Sequence, residues 1–208
     1  MRSDVNVELI DIKKQFGPKV LFSGLNCSIQ SGDCLEISGR NGSGKSTLLK
    51  IIAGLSRPSA GRVRIRLNGQ EVADTDRYRL IGMVSPEVVM YNELTGVENI
   101  KFLTQVRGGA VSDAEIAQCC ESVGLNLYKY SLAQTYSTGM KQRLKLAAML
   151  TIQPTLWLLD EPASNLDAEG RLIVAKTIRF ALGYGAAVVI ASNEPWEASY
   201  ANQKIALV

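Results

Sequence analysis

The sequence predicts an α/β domain with a mainly parallel sheet and an inserted helical lobe, on three observations. Strand-like and helical segments alternate at both ends of the chain, the pattern that parallel sheets with crossover helices leave in a sequence. One strand-like segment runs through a glycine-rich turn straight into a helical one, at Cys34 to Leu55. Between Ser85 and Ser137 the character turns helical. With 208 residues, 46% of them hydrophobic, the chain is long enough to bury a sizeable core. We expect one domain over residues 1–208, with its core at 1–84 and 153–208 and the helical lobe at 85–152.

The elements follow in order. Val5 to Ile12 alternates apolar and polar residues, and Leu25-Asn26-Cys27-Ser28-Ile29 does so again before the turn Ser31-Gly32-Asp33, so both read as strands. Cys34 to Ser38 is a short strand, and Ser46 to Leu55 a helix beyond the glycines. Arg62 to Leu67 alternates strictly, which turns Val63, Ile65 and Leu67 toward the core. The arginines between them form a solvated face, or alternatively a stripe for nucleic acid. Ile81-Gly82-Met83-Val84 is a further strand. Glu98 to Val106 reads as helix, and Ser112-Asp113-Ala114-Glu115 is a capping box that opens another. Met140 to Ile152 continues as helix and must stop before Pro154. Leu156 to Leu159, Ala168 to Leu182, Ala187 to Ala191 and Ile205 to Val208 then alternate strand and helix.

Composition excludes several functions. A net charge of +3 is too mild to imply nucleic acid, so none is expected as a direct partner. The four cysteines, Cys27, Cys34, Cys119 and Cys120, show no CxxC spacing, and the chain has no histidine, which argues against zinc and for reduced thiols. The opening MRSDVNVELIDIKK lacks the apolar stretch of a signal peptide. No apolar run approaches the ~20 residues of a spanning helix. We expect a soluble chain whose membrane part, if its process needs one, comes from another polypeptide.

Gly39-Arg40-Asn41-Gly42-Ser43-Gly44-Lys45-Ser46 fits the pattern GxxxxGK[ST] without a mismatch. Glycines let successive N–H groups turn inward around phosphate oxygens, and the following helix adds the positive end of its dipole. Lys45 would reach the β- and γ-phosphates, and the Ser46 hydroxyl would ligate Mg²⁺. Downstream, Leu156-Trp157-Leu158-Leu159-Asp160-Glu161-Pro162 is an apolar run that ends in two carboxylates. Such a run is a central parallel strand, and ligand chemistry gathers at its carboxyl end. Asp160 is placed for the Mg²⁺ shell, which leaves Glu161 to polarise an attacking water. These residues together read as a P-loop nucleoside triphosphatase.

Three further stretches resemble the ATP-binding-cassette (ABC) family. Tyr136-Ser137-Thr138-Gly139-Met140-Lys141-Gln142-Arg143 is similar to its signature motif, and Ser164-Asn165-Leu166-Asp167 to its D-loop. Phe16 stands where the family stacks an aromatic on adenine; read alone, it is equally a core residue. The resemblance runs from Val7 to Val208. It implies a RecA-like core with an antiparallel β-subdomain and a helical lobe, and the cofactors ATP and Mg²⁺. The implied nucleotide contacts are Phe16, Gly39 to Ser46 with Thr47, and from a second subunit Ser137, Gly139, Met140 and Asp167. It further implies a homo- or heterodimer of cassettes and a separate integral membrane permease, with the chain at the cytoplasmic face of the membrane. The Leu21-Phe22-Ser23-Gly24-Leu25 region and the signature form look most similar to exporter subunits, the haem-exporter type of cytochrome c maturation among them.

Two positions depart from the family. Its glutamine after the strand ending at Val84 is replaced by Ser85-Pro86-Glu87, with Pro86 or Glu87 at the glutamine position; of the two, only Glu87 offers an oxygen for catalysis or for metal-bound water. Its switch histidine is replaced by Asn193, which can donate a hydrogen bond to the γ-phosphate but carries no charge. Three functions compete: a transporter ATPase, a soluble ABC ATPase acting in macromolecular assembly, and a non-enzymatic nucleotide-binding subunit, which Glu161 argues against.

Overall fold

The computed structural model describes residues 4–207. Val208, the expected end of the last strand, lies outside the described residues. The chain divides into two compact units, one of residues 4–83, 154–161 and 180–207, the other of residues 84–153 and 162–179. The segment 162–179, expected in the core, clusters instead with the helical unit.

The first unit holds two sheets. β1 (Val5–Phe16) and β2 (Lys19–Gln30) form an antiparallel hairpin. β1 also pairs with β4 (Ala60–Leu67), which pairs with the short β5 (Gln70–Glu71), giving the order β2-β1-β4-β5. The alternation read from the sequence is visible in burial: Val5, Val7 and Leu9 are buried on β1, and Val63 and Ile65 on β4, with Leu67 partly buried. The β4 arginines have partners. Arg64 and Arg66 both bind the Glu8 carboxylate, at 3.2 and 2.9 Å, and Arg64 reaches Glu71 at 3.5 Å. The nucleic-acid stripe therefore loses two of its three cations to ion pairs.

The second sheet has the order β6-β7-β8-β3-β9, formed by β3 (Cys34–Gly39), β6 (Ile81–Val84), β7 (Leu156–Asp160), β8 (Ala187–Ala191) and β9 (Gln203–Leu207). The pairs β7–β8, β8–β3 and β3–β9 are parallel. All five residues of β7 and of β8 are buried, as central strands covered on both faces must be. Trp157 inside β7 donates its indole N–H to the Tyr184 hydroxyl, which donates to Pro154 O at 2.8 Å. Its one polar atom is thus satisfied. α1 (Lys45–Ile52) packs on β3, β7 and β8 and buries Leu48, Leu49, Ile51 and Ile52. These side chains join both sheets in one apolar core.

In the second unit α2 (Gly96–Val106), α3 (Asp113–Ser122) and α4 (Thr138–Ile152) pack on one another. Both α2 and α3 open on complete capping boxes, Thr95 with Glu98 and Ser112 with Glu115. α5 (Ala168–Gly183) follows β7, and the one-turn α6 (Pro195–Ala198), in the first unit, follows β8. The interior of the helical unit is partly polar. Asn99 is fully buried; its amide donates to Tyr91 O, Leu94 O and Thr95 O at 3.0, 3.2 and 2.9 Å, and its oxygen accepts from Tyr91 N at 2.8 Å. One side chain therefore shapes the turn that leads into α2.

Asn99→Ala removes four hydrogen bonds and leaves buried backbone groups without them, which costs about 2–3 kcal/mol. We expect the urea midpoint to fall accordingly with an unchanged denaturant slope.

Candidate functional site

The glycine-rich turn is a consequence of crowding. Gly39 closes β3 with φ +151°, and a Cβ there would stand 2.6 Å from Leu207 O and 2.5 Å from Ser43 Oγ. Gly44 caps α1 with φ +105°, and a Cβ there would meet the Phe22 ring at 2.9 Å. Only glycine fits either position. Within the turn, the Ser43 hydroxyl is buried with no hydrogen-bond partner among the described residues. An oxyanion ligand would satisfy it. Asn41, Gly42, Gly44, Lys45, Ser46 and Thr47, with Leu21 and Glu161, line a pocket of about 290 Å³.

Lys45 is buried, and its ammonium donates to Gly39 O at 2.8 Å and to Asn193 Oδ1 at 3.1 Å. Asn193 in turn donates from Nδ2 to Asn41 Oδ1 at 2.9 Å. The residue that replaces the expected histidine therefore bridges two residues of the phosphate loop. Asn41 and Asn193 are exposed beside the buried lysine, so incoming phosphate oxygens can take over its hydrogen bonds.

Asp160 ends β7 as a buried carboxylate. Burial pushes its carboxyl above the usual range; the Ser46 hydroxyl bond pulls down, the Glu161 charge pushes up, and Lys45 and Lys50 pull down. Ser46 and Asp160 are thus adjacent hard oxygen donors, the donor set Mg²⁺ prefers. Glu161 adopts φ +46°, a sparsely populated region for a side-chain-bearing residue. Its N–H donates to Ala191 O on β8 at 2.8 Å, which holds the strained turn. The half-buried Glu161 lines the same pocket as Lys45 and Ser46.

The second unit carries a separate cluster. The Ser137 hydroxyl caps α4 by accepting from Met140 N at 3.2 Å. Ser137, Gly139, Met140 and Arg143 line a pocket of about 270 Å³ together with Asn165, Leu166 and Asp167. Asp167 accepts from Gly170 N at 2.8 Å and from Arg143 Nη2 at 3.0 Å. The Gly170 amide, then Arg143, hold its carboxyl below the usual range. Gln142 donates to Pro162 O at 2.8 Å. Arg143 and Gln142 thereby join the signature turn to the D-loop, and sequence reading assigned them no such role. Their long reach, 24 and 20 residues along the chain, leaves no local signal.

Two expected residues, Phe16 and Glu87, line neither of these pockets. Phe16 is 56% exposed, so it is not a core residue. Glu87 is exposed on the turn after β6, in the second unit. Ser85 beside it is buried, and its carbonyl accepts from the buried Lys145 ammonium at 2.9 Å.

Residues 22–164 match the family model described as ABC transporter. The chain is 35% identical over 188 residues to the cytochrome c biogenesis ATP-binding export protein CcmA of Sodalis glossinidius, covering 90% of this chain and 89% of that one. It is 35% identical over 164 residues to the bacitracin transport ATP-binding protein BcrA of Enterococcus faecalis, covering 79% of this chain and 53% of that one. Among solved structures, the dimeric post-hydrolysis state of the ATP-binding cassette MJ0796 bound to ADP and Pi superposes with a TM-score of 0.83 at 25% identity. That match covers 97% of this chain and 94% of the other.

The Asp160 environment makes a checkable claim about the ligand-free protein. Because its folded pKa is raised, the charged form is penalised in the folded state, fully above the folded pKa and not at all below the unfolded value near 3.8. Asp160→Asn keeps the acceptor for Ser46 and removes the charge. We expect it to melt a few degrees higher than the parent at pH 7 without Mg-nucleotide, with the gap closing on acidification toward the unfolded pKa. A gap that widened on acidification would contradict the burial argument.

Proposed function

This chain belongs to the ABC transporter family as an ATP-binding, ATP-hydrolysing motor subunit, and we propose that it works as half of a nucleotide-sandwich dimer on a separate integral membrane permease. One observation carries the proposal: a single chain bears two different phosphate-facing clusters. Around Lys45, Ser46, Asp160 and Glu161 stand a cation, metal ligands and a carboxylate base. Around Ser137, Gly139 and Met140 stands a capped helix start, whose free N–H groups suit a phosphate. In two facing chains, each cluster of the first kind meets the second kind from the partner.

The residues divide the work as follows. Gly39 to Ser46 and Thr47 hold the phosphates, with Lys45 neutralising charge on the β- and γ-oxygens. Ser46 and Asp160 would hold Mg²⁺, which supplies Lewis-acid stabilisation of phosphoryl charge when bound. Glu161 accepts the proton of the attacking water, its direction set by the strained turn and by Ala191. Asn193 moves from Lys45 to the γ-phosphate and donates through Nδ2 in place of an imidazole. Glu87 is the oxygen donor that this chain offers in place of the missing glutamine. Phe16 stacks on adenine. Asp167, fixed by Arg143, contributes to the far side of the sandwich.

The permease reading draws support from an exposed apolar surface in the helical unit. Val89, Tyr91, Phe102 and Val106 are exposed, and the Tyr91 and Phe102 rings meet edge to face at 5.0 Å. Patches of this kind mark protein contacts. No helix among the described residues is long and apolar enough to cross a membrane. The likeness to ATP-binding proteins of transporters supports a place at the cytoplasmic face, held there by the partner. The relatives named for export favour an exporter.

Glu161→Gln should lose hydrolysis by about 10²–10⁴-fold while still binding ATP, and should dimerise with Mg-ATP by light scattering. Parental turnover in this variant would remove Glu161 from its role. Failure to dimerise despite ATP binding would point to a heterodimer or to prior docking. Co-purification with a membrane subunit separates the transporter from a soluble assembly ATPase.

Asn193→His should raise turnover severalfold, because a histidine can also carry charge at the γ-phosphate. Equal turnover would mean this position does not limit the reaction.

A further inference from the structure

Phe16 does not stand alone at the end of β1. Lys14 lies two residues earlier on the same strand, and its Nζ stands 4.9 Å from the centre of the Phe16 ring. The ammonium is tethered there: it donates to Arg57 O at 2.7 Å and to Ser56 Oγ at 3.1 Å. Ser56 and Arg57 lie in the turn just beyond α1, and the N–H groups of Leu55 and Ser56 both return to Lys50 O in that helix. Ser59 completes the lacing. Its N–H donates to Lys13 O at 2.7 Å, and its hydroxyl accepts from Gln15 N at 3.1 Å. The strand end that carries Phe16 is therefore fastened to the far end of the helix that starts at Lys45.

We infer that Lys14 is a positioning residue for the nucleobase: it closes one face of the Phe16 ring and leaves the opposite face as the one open to a base. The inference rests on the reading of Phe16 as the adenine platform. An exposed aromatic ring at a hairpin tip would otherwise sample several rotamers and lose that freedom on stacking. The cation attracts the ring quadrupole and holds the ring before the base arrives. The tether also sets the spacing of base and phosphate sites, because α1 carries the phosphate loop at one end and the anchors of Lys14 at the other. A leucine here would fill space but leave Arg57 O without its donor and the ring without its cation.

Calorimetric titrations with Mg-ADP and with Mg-pyrophosphate test this, and neither probe requires hydrolysis. We expect Lys14→Met to weaken ADP binding about two- to fivefold and to leave pyrophosphate binding unchanged. Lys14→Arg, whose planar cation also stacks on aromatic faces, should restore ADP binding. Lys14→Met combined with Phe16→Ala should bind ADP no more weakly than Phe16→Ala alone. An equal loss of pyrophosphate binding, or additive losses in the double variant, would overturn the inference by showing that Lys14 acts elsewhere. Tighter ADP binding by Lys14→Met would also overturn it, since Lys14 would then occupy the face that the base needs. Full ADP affinity in Phe16→Ala would instead sink the platform reading itself, a result distinct from failure of Lys14 alone.

Discussion

A buried ammonium group must be surrounded by oxygen, and much of the first unit can be understood from how Lys45 meets that requirement. Its charge sits at the start of α1, where the helix dipole is unfavourable to a cation. Gly39 O and Asn193 Oδ1 supply the acceptors, one from the end of β3 and one from beyond β8. Those strands are hydrogen-bonded neighbours in the parallel sheet. Parallel register brings their carboxyl ends to one edge, and β7, on the other side of β8, delivers Asp160 and Glu161 to the same edge. The burial that raises the Asp160 pKa is the same burial that keeps water from competing for Lys45. A divalent cation and a polyphosphate relieve both groups together, so the ligand-free site is poised for that pair of ligands.

The second unit works on a different principle. Its cluster depends on caps and on ion pairs from Arg143 to exposed carboxylates. Ser137 caps α4, Asp167 accepts from Gly170 N near the start of α5, and Arg143 ties the two starts together. Ion pairs whose carboxylates stand in water, as Asp167 and Glu169 do, contribute little to stability, so the value of the mostly covered Arg143 lies in geometry. It keeps the signature turn and the D-loop in one arrangement, which is what a surface meeting a partner's nucleotide requires.

Local chemistry was legible in the sequence wherever a short stretch held all the information. The phosphate loop, the apolar run of β7, the capping box at Ser112 and the stop before Pro154 each depend on residues within one turn or one strand. Other features were not legible, for identifiable reasons. β2 runs from Lys19 to Gln30, but outside Leu25 to Ile29 only Phe22 is buried, so edge pairing and not burial makes the rest of it a strand. Segment 162–179 groups with the helical unit through side chains such as Arg143 and Gln142, which no periodicity reveals. Asn193 was singled out only because it departs from a family pattern. Its partners, Lys45 and Asn41, lie 148 and 152 residues away in sequence, and only the sheet register brings them together.

That register also explains why an asparagine can serve where a histidine was expected. The position must accept from Lys45 and donate to Asn41 at once, and a carboxamide does both at any pH with separate atoms. An imidazole does both only while neutral, and once protonated it would place a second positive charge against Lys45. The chain contains no histidine at all, so no imidazole titrates at this site, where burial pushes the Asp160 carboxyl above its usual range. The phosphate loop thus keeps its lysine in place by neutral hydrogen bonding. The charge that a histidine would add at the γ-phosphate has to be supplied, if turnover demands it, by the groups brought by a partner.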